Sequence, residues 1–92
     1  MKRDKKFVID SIKMDLHRVV TATGDVSKEA EVDSAKIFLE HADADFDKIR
    51  LSPREKMLRQ ELNELSESID ALENPYARLR WVEDVLTVRC RL

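Results

Sequence analysis

Two runs of apolar residues in the middle of the chain recur at alternating spacings of three and four. Val32, Ala35, Leu39, Ala42, Phe46 and Ile49 form the first, and Leu58, Leu62, Leu65, Ile69 and Leu72 form the second, after a break at Ser52-Pro53. A period of about 3.5 residues puts each set on one narrow stripe of an α-helix, the kind of seam that packs another helix knobs-into-holes. The pattern predicts a helical hairpin inside an all-α, up-and-down bundle. It constrains the architecture and leaves the chemistry open.

At 92 residues the chain is read as one helical-bundle domain, spanning 1–92. A chain this small buries only about 60–65% of its unfolded surface, so pairing with a second copy would add substantially to its stability. Charged residues make up 39% of the sequence, against one glycine and two prolines, a balance that leaves little for loops and asks for long exposed helices. The net charge of −2 supplies no bulk attraction to nucleic acid or to an anionic membrane. Cys90 has no second cysteine to pair with, and the basic opening Met1-Lys2-Arg3-Asp4-Lys5-Lys6 is not followed by the apolar run of a leader. No stretch approaches the roughly 20 apolar residues that span a bilayer, so a cytoplasmic protein without membrane contact is expected.

The first helix is expected from about residue 4 to Ala22, with Ile9, Ile12, Leu16 and Val19 as its stripe and Phe7, Val8 and Val20 widening it. Gly24 stands where a left-handed C-cap would cost nothing. Asp25 or Ser27 could then cap the second helix, with Glu29 and Glu31 favouring its positive end. That helix should carry the first seam to about Arg50, through Asp43, Asp45 and Asp47, because Phe46 and Ile49 stay in register. Ser52-Pro53-Arg54-Glu55 is a capping box with proline in the first turn, and it opens a third helix running to about Glu73. On its polar side, Glu55 and Arg59 have the spacing of an ion pair. Asn74-Pro75 starts a fourth helix, turned relative to the third.

The fourth helix has two apolar stripes: Leu79, Val82 and Leu86 on one side, Trp81, Val85, Val88 and Leu92 on the other. Arg78 and Arg89 fall between them. One stripe serves the bundle core, and the second is available to a partner. The expected interface is Arg78, Trp81, Val85, Val88 and Arg89, since tryptophan and arginine dominate the energetics of many interfaces. The expected partner is a second copy, giving a homodimer, or another protein.

Signals for chemistry are thin. His41-Ala42-Asp43-Ala44-Asp45-Phe46-Asp47 has alternating oxygen ligands like the start of a calcium loop, but Lys48 replaces the glycine and Arg54 the final glutamate that such a loop needs. His41 and Asp45 at helical spacing could offer two ligands of a transition-metal site, with no further histidine or cysteine nearby to complete it. His17 falls on a polar flank, and Cys90 lies between Arg89 and Arg91 near the end of the chain. There is no glycine-rich phosphate loop and no nucleophile motif, so no catalytic residue, cofactor or metal is expected.

Charge is segregated along the chain. Asp25, Glu29, Glu31, Asp33, Glu40, Asp43, Asp45 and Asp47 are opposed only by Lys28 and Lys36, whereas Lys2, Arg3, Lys5 and Lys6 at one end and Arg78, Arg80, Arg89 and Arg91 at the other are basic. Basic ends docking on the acidic second helix, in the same or another copy, use all of these charges. The alternative is a nucleic-acid-binding regulator, with the basic ends on phosphates and Trp81 or Tyr76 stacked on a base.

From His41 to Val82 the chain also resembles the second half of a J-domain. His41 and Asp43 precede a charged helix, and Leu72, Pro75 and Arg78 give a Leu-x-x-Pro-x-x-Arg segment. In that family a histidine-proline-aspartate loop drives a chaperone ATPase, so the resemblance implies a degenerate chaperone-partner role. Here Ala42 replaces the proline, and the segment is expected to be helical.

These readings converge on a non-enzymatic protein–protein interaction module: an adaptor, a regulatory subunit or an assembly factor.

Overall fold

The computed structural model describes residues 4–25, 29–72 and 74–92. They form α1 (Lys5–Thr23), α2 (Val32–Phe46), α3 (Pro53–Glu67) and α4 (Pro75–Arg91), with a 3-10 turn at Ile69–Ala71 leading into α4. No strand occurs among the described residues. Cross-helix contacts pair α1 with α2, α2 with α3 and α1 with α4 in antiparallel order, and the bundle is a rod of 44 × 21 × 19 Å. This is the all-α, up-and-down bundle that the two seams predict.

Both seams point inward. Ala35, Leu39, Ala42 and Phe46 from α2 and Leu58, Leu62, Ile69 and Leu72 from the α3 region are buried, and Val32, Ile49 and Leu65 pack against them. They meet Val8, Ile9, Ile12, Leu16 and Val19 of α1 and Trp81, Val82, Val85 and Val88 of α4 in one continuous core. The alanines at 35 and 42 keep the contact face of α2 thin, and α1 and α2 share the most extensive helix–helix contact of the bundle. Phe7 departs from expectation. It is 64% exposed, because its helical phase falls outside the face of α1 that meets its neighbours.

Helix starts follow local sequence rules. Asp4 accepts from the Lys6 amide at 3.0 Å, and Asn74 accepts from the Tyr76 amide at 2.8 Å. At α3 the capping box closes in both directions: the Ser52 amide donates to Glu55 Oε1 at 2.8 Å, and the Glu55 amide donates to Ser52 Oγ at 3.2 Å. Only the start of α2 breaks the pattern. It begins at Val32, later than expected, and its N-cap Glu31 makes no side-chain cap bond. Asp25 is therefore not the cap of α2, and Ser27 lies outside the described residues. The Glu31 amide instead donates back to the Ala22 carbonyl at 3.0 Å, tying the connection to the end of α1.

Helix ends do not follow the expected rule. Gly24 is right-handed, with φ −79° and ψ −19°, and no described residue has a positive φ. What demands glycine there is a close approach: a Cβ would lie 2.6 Å from the Val20 carbonyl oxygen, which already accepts from the Gly24 amide at 2.7 Å. α2 stops at Phe46 rather than continuing to Arg50. Past that point Asp47 and Lys48 form a turn, and Ile49 stays against the core from outside the helix. α3 stops at Glu67 rather than Glu73. The 3-10 turn then keeps Ile69 and Leu72 pointing inward, because its spacing of about three residues per turn matches the seam over one short step.

Candidate interaction surface

The five residues expected to meet a partner are occupied within their own chain, which corrects the expected interface. Trp81, Val85 and Val88 are core residues, Arg78 is 6% exposed, and Arg89 is half-buried. The physical reason lies in the polar atoms of this stripe. The Arg78 guanidinium donates through Nε to the Thr23 carbonyl and through Nη2 to the Asp25 carbonyl at 2.7 Å. Trp81 Nε1 donates to the Leu65 carbonyl at 2.8 Å, and Arg89 Nε to the Lys13 carbonyl at 3.1 Å. Each side chain covers core with its apolar body and uses its N–H groups on backbone oxygens of α1 or α3.

Two of these bonds finish helices. The last carbonyls of a helix have no partner within it, and a left-handed glycine is one common remedy. Here Arg78 serves the end of α1, and Trp81 adds a donor to the Leu65 carbonyl at the end of α3, which also accepts from the Ser68 amide and hydroxyl. Arg59 does the same for α2: its Nη2 donates to the Asp43 carbonyl at 3.1 Å, its Nε to Asp43 Oδ1 and its Nη1 to Asp47 Oδ1, both at 2.9 Å, while its guanidinium lies 5.7 Å from the Phe46 ring centroid. The bonds to Asp43 and then Asp47 hold the Arg59 guanidinium further above its already high ordinary pKa. The expected Glu55–Arg59 pair is accordingly absent, because Arg59 reaches across to α2 and Glu55 pairs with Lys5 at 2.7 Å. Burial opposes ionisation of Glu55, but Lys5 and the Ser52 bonds outweigh it and hold the carboxyl below its ordinary value.

The remaining candidates separate. Asp45 accepts from Ser11 Oγ at 3.1 Å and from Lys48 Nζ at 2.6 Å, while the His41 ring meets Phe38 edge-on at 6.5 Å. Among the described residues no three His, Cys, Asp or Glu side chains converge as metal ligands. The His41-Ala42-Asp43 segment lies inside α2, so it has no loop of the kind the J-domain resemblance calls for. Of the basic ends, Lys5, Arg78 and Arg89 are committed to partners in the same chain. Cys90 is exposed.

What α4 presents outward is its other stripe. Leu79 is 43% exposed and Leu86 36%, on one line of the helix with the buried Val82 beside them. Two shallow grooves flank α3. One, of about 280 Å³, lies between α2 and α3 and carries Glu40, Asp43 and Asp47 around Leu39, Phe46 and Leu62. The other, of about 330 Å³, lies between α3 and α4 and carries Glu61, Glu64, Asp84 and Arg91 around Leu65 and Val88. Sequence reasoning missed Asp15, which is buried on α1. A helical wheel reveals it, because it falls among Ile12, Leu16 and Val19 on the inward face.

No protein-family model, curated protein or solved structure matches the chain.

Proposed function

We propose that this protein is a non-enzymatic protein–protein interaction module of the cytoplasm that self-associates through the outer stripe of α4. The observation that carries the reading is the exposure of Leu79 and Leu86, an apolar pair seven residues apart on a helix whose opposite stripe is already consumed by the core. Seven residues is about two helical turns, so the pair offers a second helix two anchor points in line. Val82 beneath them is buried in the core, so the side chains that lose rotamer freedom on docking are the two leucines. No helix among the described residues is long and apolar enough to cross a membrane.

Light scattering on a sizing column, across a concentration series, tests the proposal. The wild-type chain is expected to run above its monomer mass of 10.7 kDa, and the Leu79→Glu, Leu86→Glu double variant at that mass with unchanged helicity. A wild-type monomer at every concentration would remove self-association.

A further inference from the structure

The two grooves beside α3 differ in how their charges are answered. Between α2 and α3, Arg59 bridges both Asp43 and Asp47 at 2.9 Å. Between α3 and α4, Glu61, Glu64 and Asp84 line the groove together with Arg91, over a floor of Leu65 and Val88. None of these charged side chains takes part in an ion pair among the described residues. Glu64 accepts one long bond, from Gln60 at 3.4 Å. Three carboxylates thus share one groove with a single guanidinium to offset them, and like charges held together repel.

The groove also has a direction. α3 and α4 run antiparallel, as their contacts with α1 and α2 require. Trp81 of α4 donates to the Leu65 carbonyl at 2.8 Å, which sets their register. Glu64 and Asp84 therefore fall toward one end, Glu61 lies between, and Arg91 stands toward the other. Met57, 66% exposed, extends the same flank of α3 one turn before Glu61.

We propose that the α3–α4 groove docks a basic amphipathic helix of another protein. Its lysine or arginine side chains meet Glu64 and Asp84, and its apolar side chains rest on Leu65 and Val88. Charge complementarity selects this occupant. A cationic segment relieves the repulsion along the groove, whereas an acidic peptide or a nucleic-acid backbone adds to it. A helix suits a channel between two helices, because its anchors three, four and seven residues apart share one line. Arg91 favours the negative C-terminal end of that helix, which orients it. Leu79 and Leu86 do not line the groove, so docking here is independent of self-association through them.

Fluorescence anisotropy with a labelled helical peptide of lysine and leucine tests the proposal. Its leucines follow the helical period, and a scrambled peptide of the same composition is the control. At low salt the wild type is expected to bind the patterned peptide about tenfold more tightly than the scrambled one. Glu64→Lys with Asp84→Lys should weaken binding about tenfold, and Arg91→Glu should strengthen it. Asp33→Lys with Glu40→Lys makes the same change of net charge on the exposed side of α2 and should keep affinity within about twofold. Leu79→Ala with Leu86→Ala should do the same. All of these positions are exposed, and circular dichroism checks that each variant is folded. The proposal is overturned by absent binding to the wild type, by equal affinity for the scrambled peptide, or by equal losses in the groove and α2 charge reversals.

Discussion

The Arg78 guanidinium of α4 donates to the carbonyl of Thr23, the last residue of α1, across 55 positions of sequence. The same guanidinium also reaches the Asp25 carbonyl at 2.7 Å. One buried side chain thus ends α1, anchors the start of the connection to α2 and fixes where α4 lies against α1. Arg59 and Trp81 repeat the arrangement at the ends of α2 and α3.

Removing that guanidinium should be costly. Charge-assisted hydrogen bonds each contribute about 1.5–3 kcal/mol, and a buried acceptor left unsatisfied adds its own desolvation penalty. Arg78→Ala is therefore expected to lower unfolding free energy by about 3 kcal/mol, measured by urea denaturation. Arg78→Lys keeps the charge but loses the fork, and should recover less than half of the loss.

Trp81 separates packing from capping. Trp81→Phe retains an aromatic ring in the core and deletes the Nε1–H that serves the Leu65 carbonyl. A loss of about 1–2 kcal/mol is expected, against about 3–5 kcal/mol for Trp81→Ala. Circular dichroism at 222 nm during thermal melts can follow both, since the chain has a single tryptophan and the variants lose its fluorescence.

Gly24→Ala tests the close approach at the end of α1. The obstacle is the Val20 carbonyl, a backbone atom that cannot rotate away. The substitution should destabilise the fold by more than about 1 kcal/mol, even though the backbone angles at this position suit any residue. A neutral or stabilising result would show that the helix end relaxes freely.

Glu55 gives a pH-dependent prediction with a definite sign. Its carboxyl is held below the ordinary value of 4.5 in the folded chain. The stability it contributes is thus complete above that ordinary value and disappears as pH falls through the folded one. Glu55→Gln should cost about 1 kcal/mol at neutral pH and progressively less as the solution is acidified below about pH 4. Urea midpoints of both proteins at a series of pH values would show the curves converging.

Most of the architecture was legible because hydrophobic period and N-terminal caps are local signals. Ser52 and Glu55 close their box from residues three apart, and the stripes of α2 and α3 identify inward positions correctly as far as Ile49 and Leu72. Those same stripes overran the helices. A 3-10 turn or a short bend can hold an apolar side chain inward without continuing the helix, so period alone marks burial and not helix length. Asp15 shows the opposite failure, a polar residue in the buried phase that a search for apolar stripes passes over.

The candidate surface was the least legible part. α4 carries two stripes of comparable apolar character, and nothing within its own seventeen residues says which one the core takes. That choice depends on α1 and α3, whose carbonyls at Thr23, Lys13 and Leu65 accept from the side bearing Arg78, Arg89 and Trp81. Local sequence was enough to place the helices, the starts of α1, α3 and α4 and most of the core, because each rests on residues within a few turns of one another. Tertiary structure decided where the helices end and which face of α4 remains open, because an unsatisfied carbonyl can be answered by a side chain from anywhere in the chain.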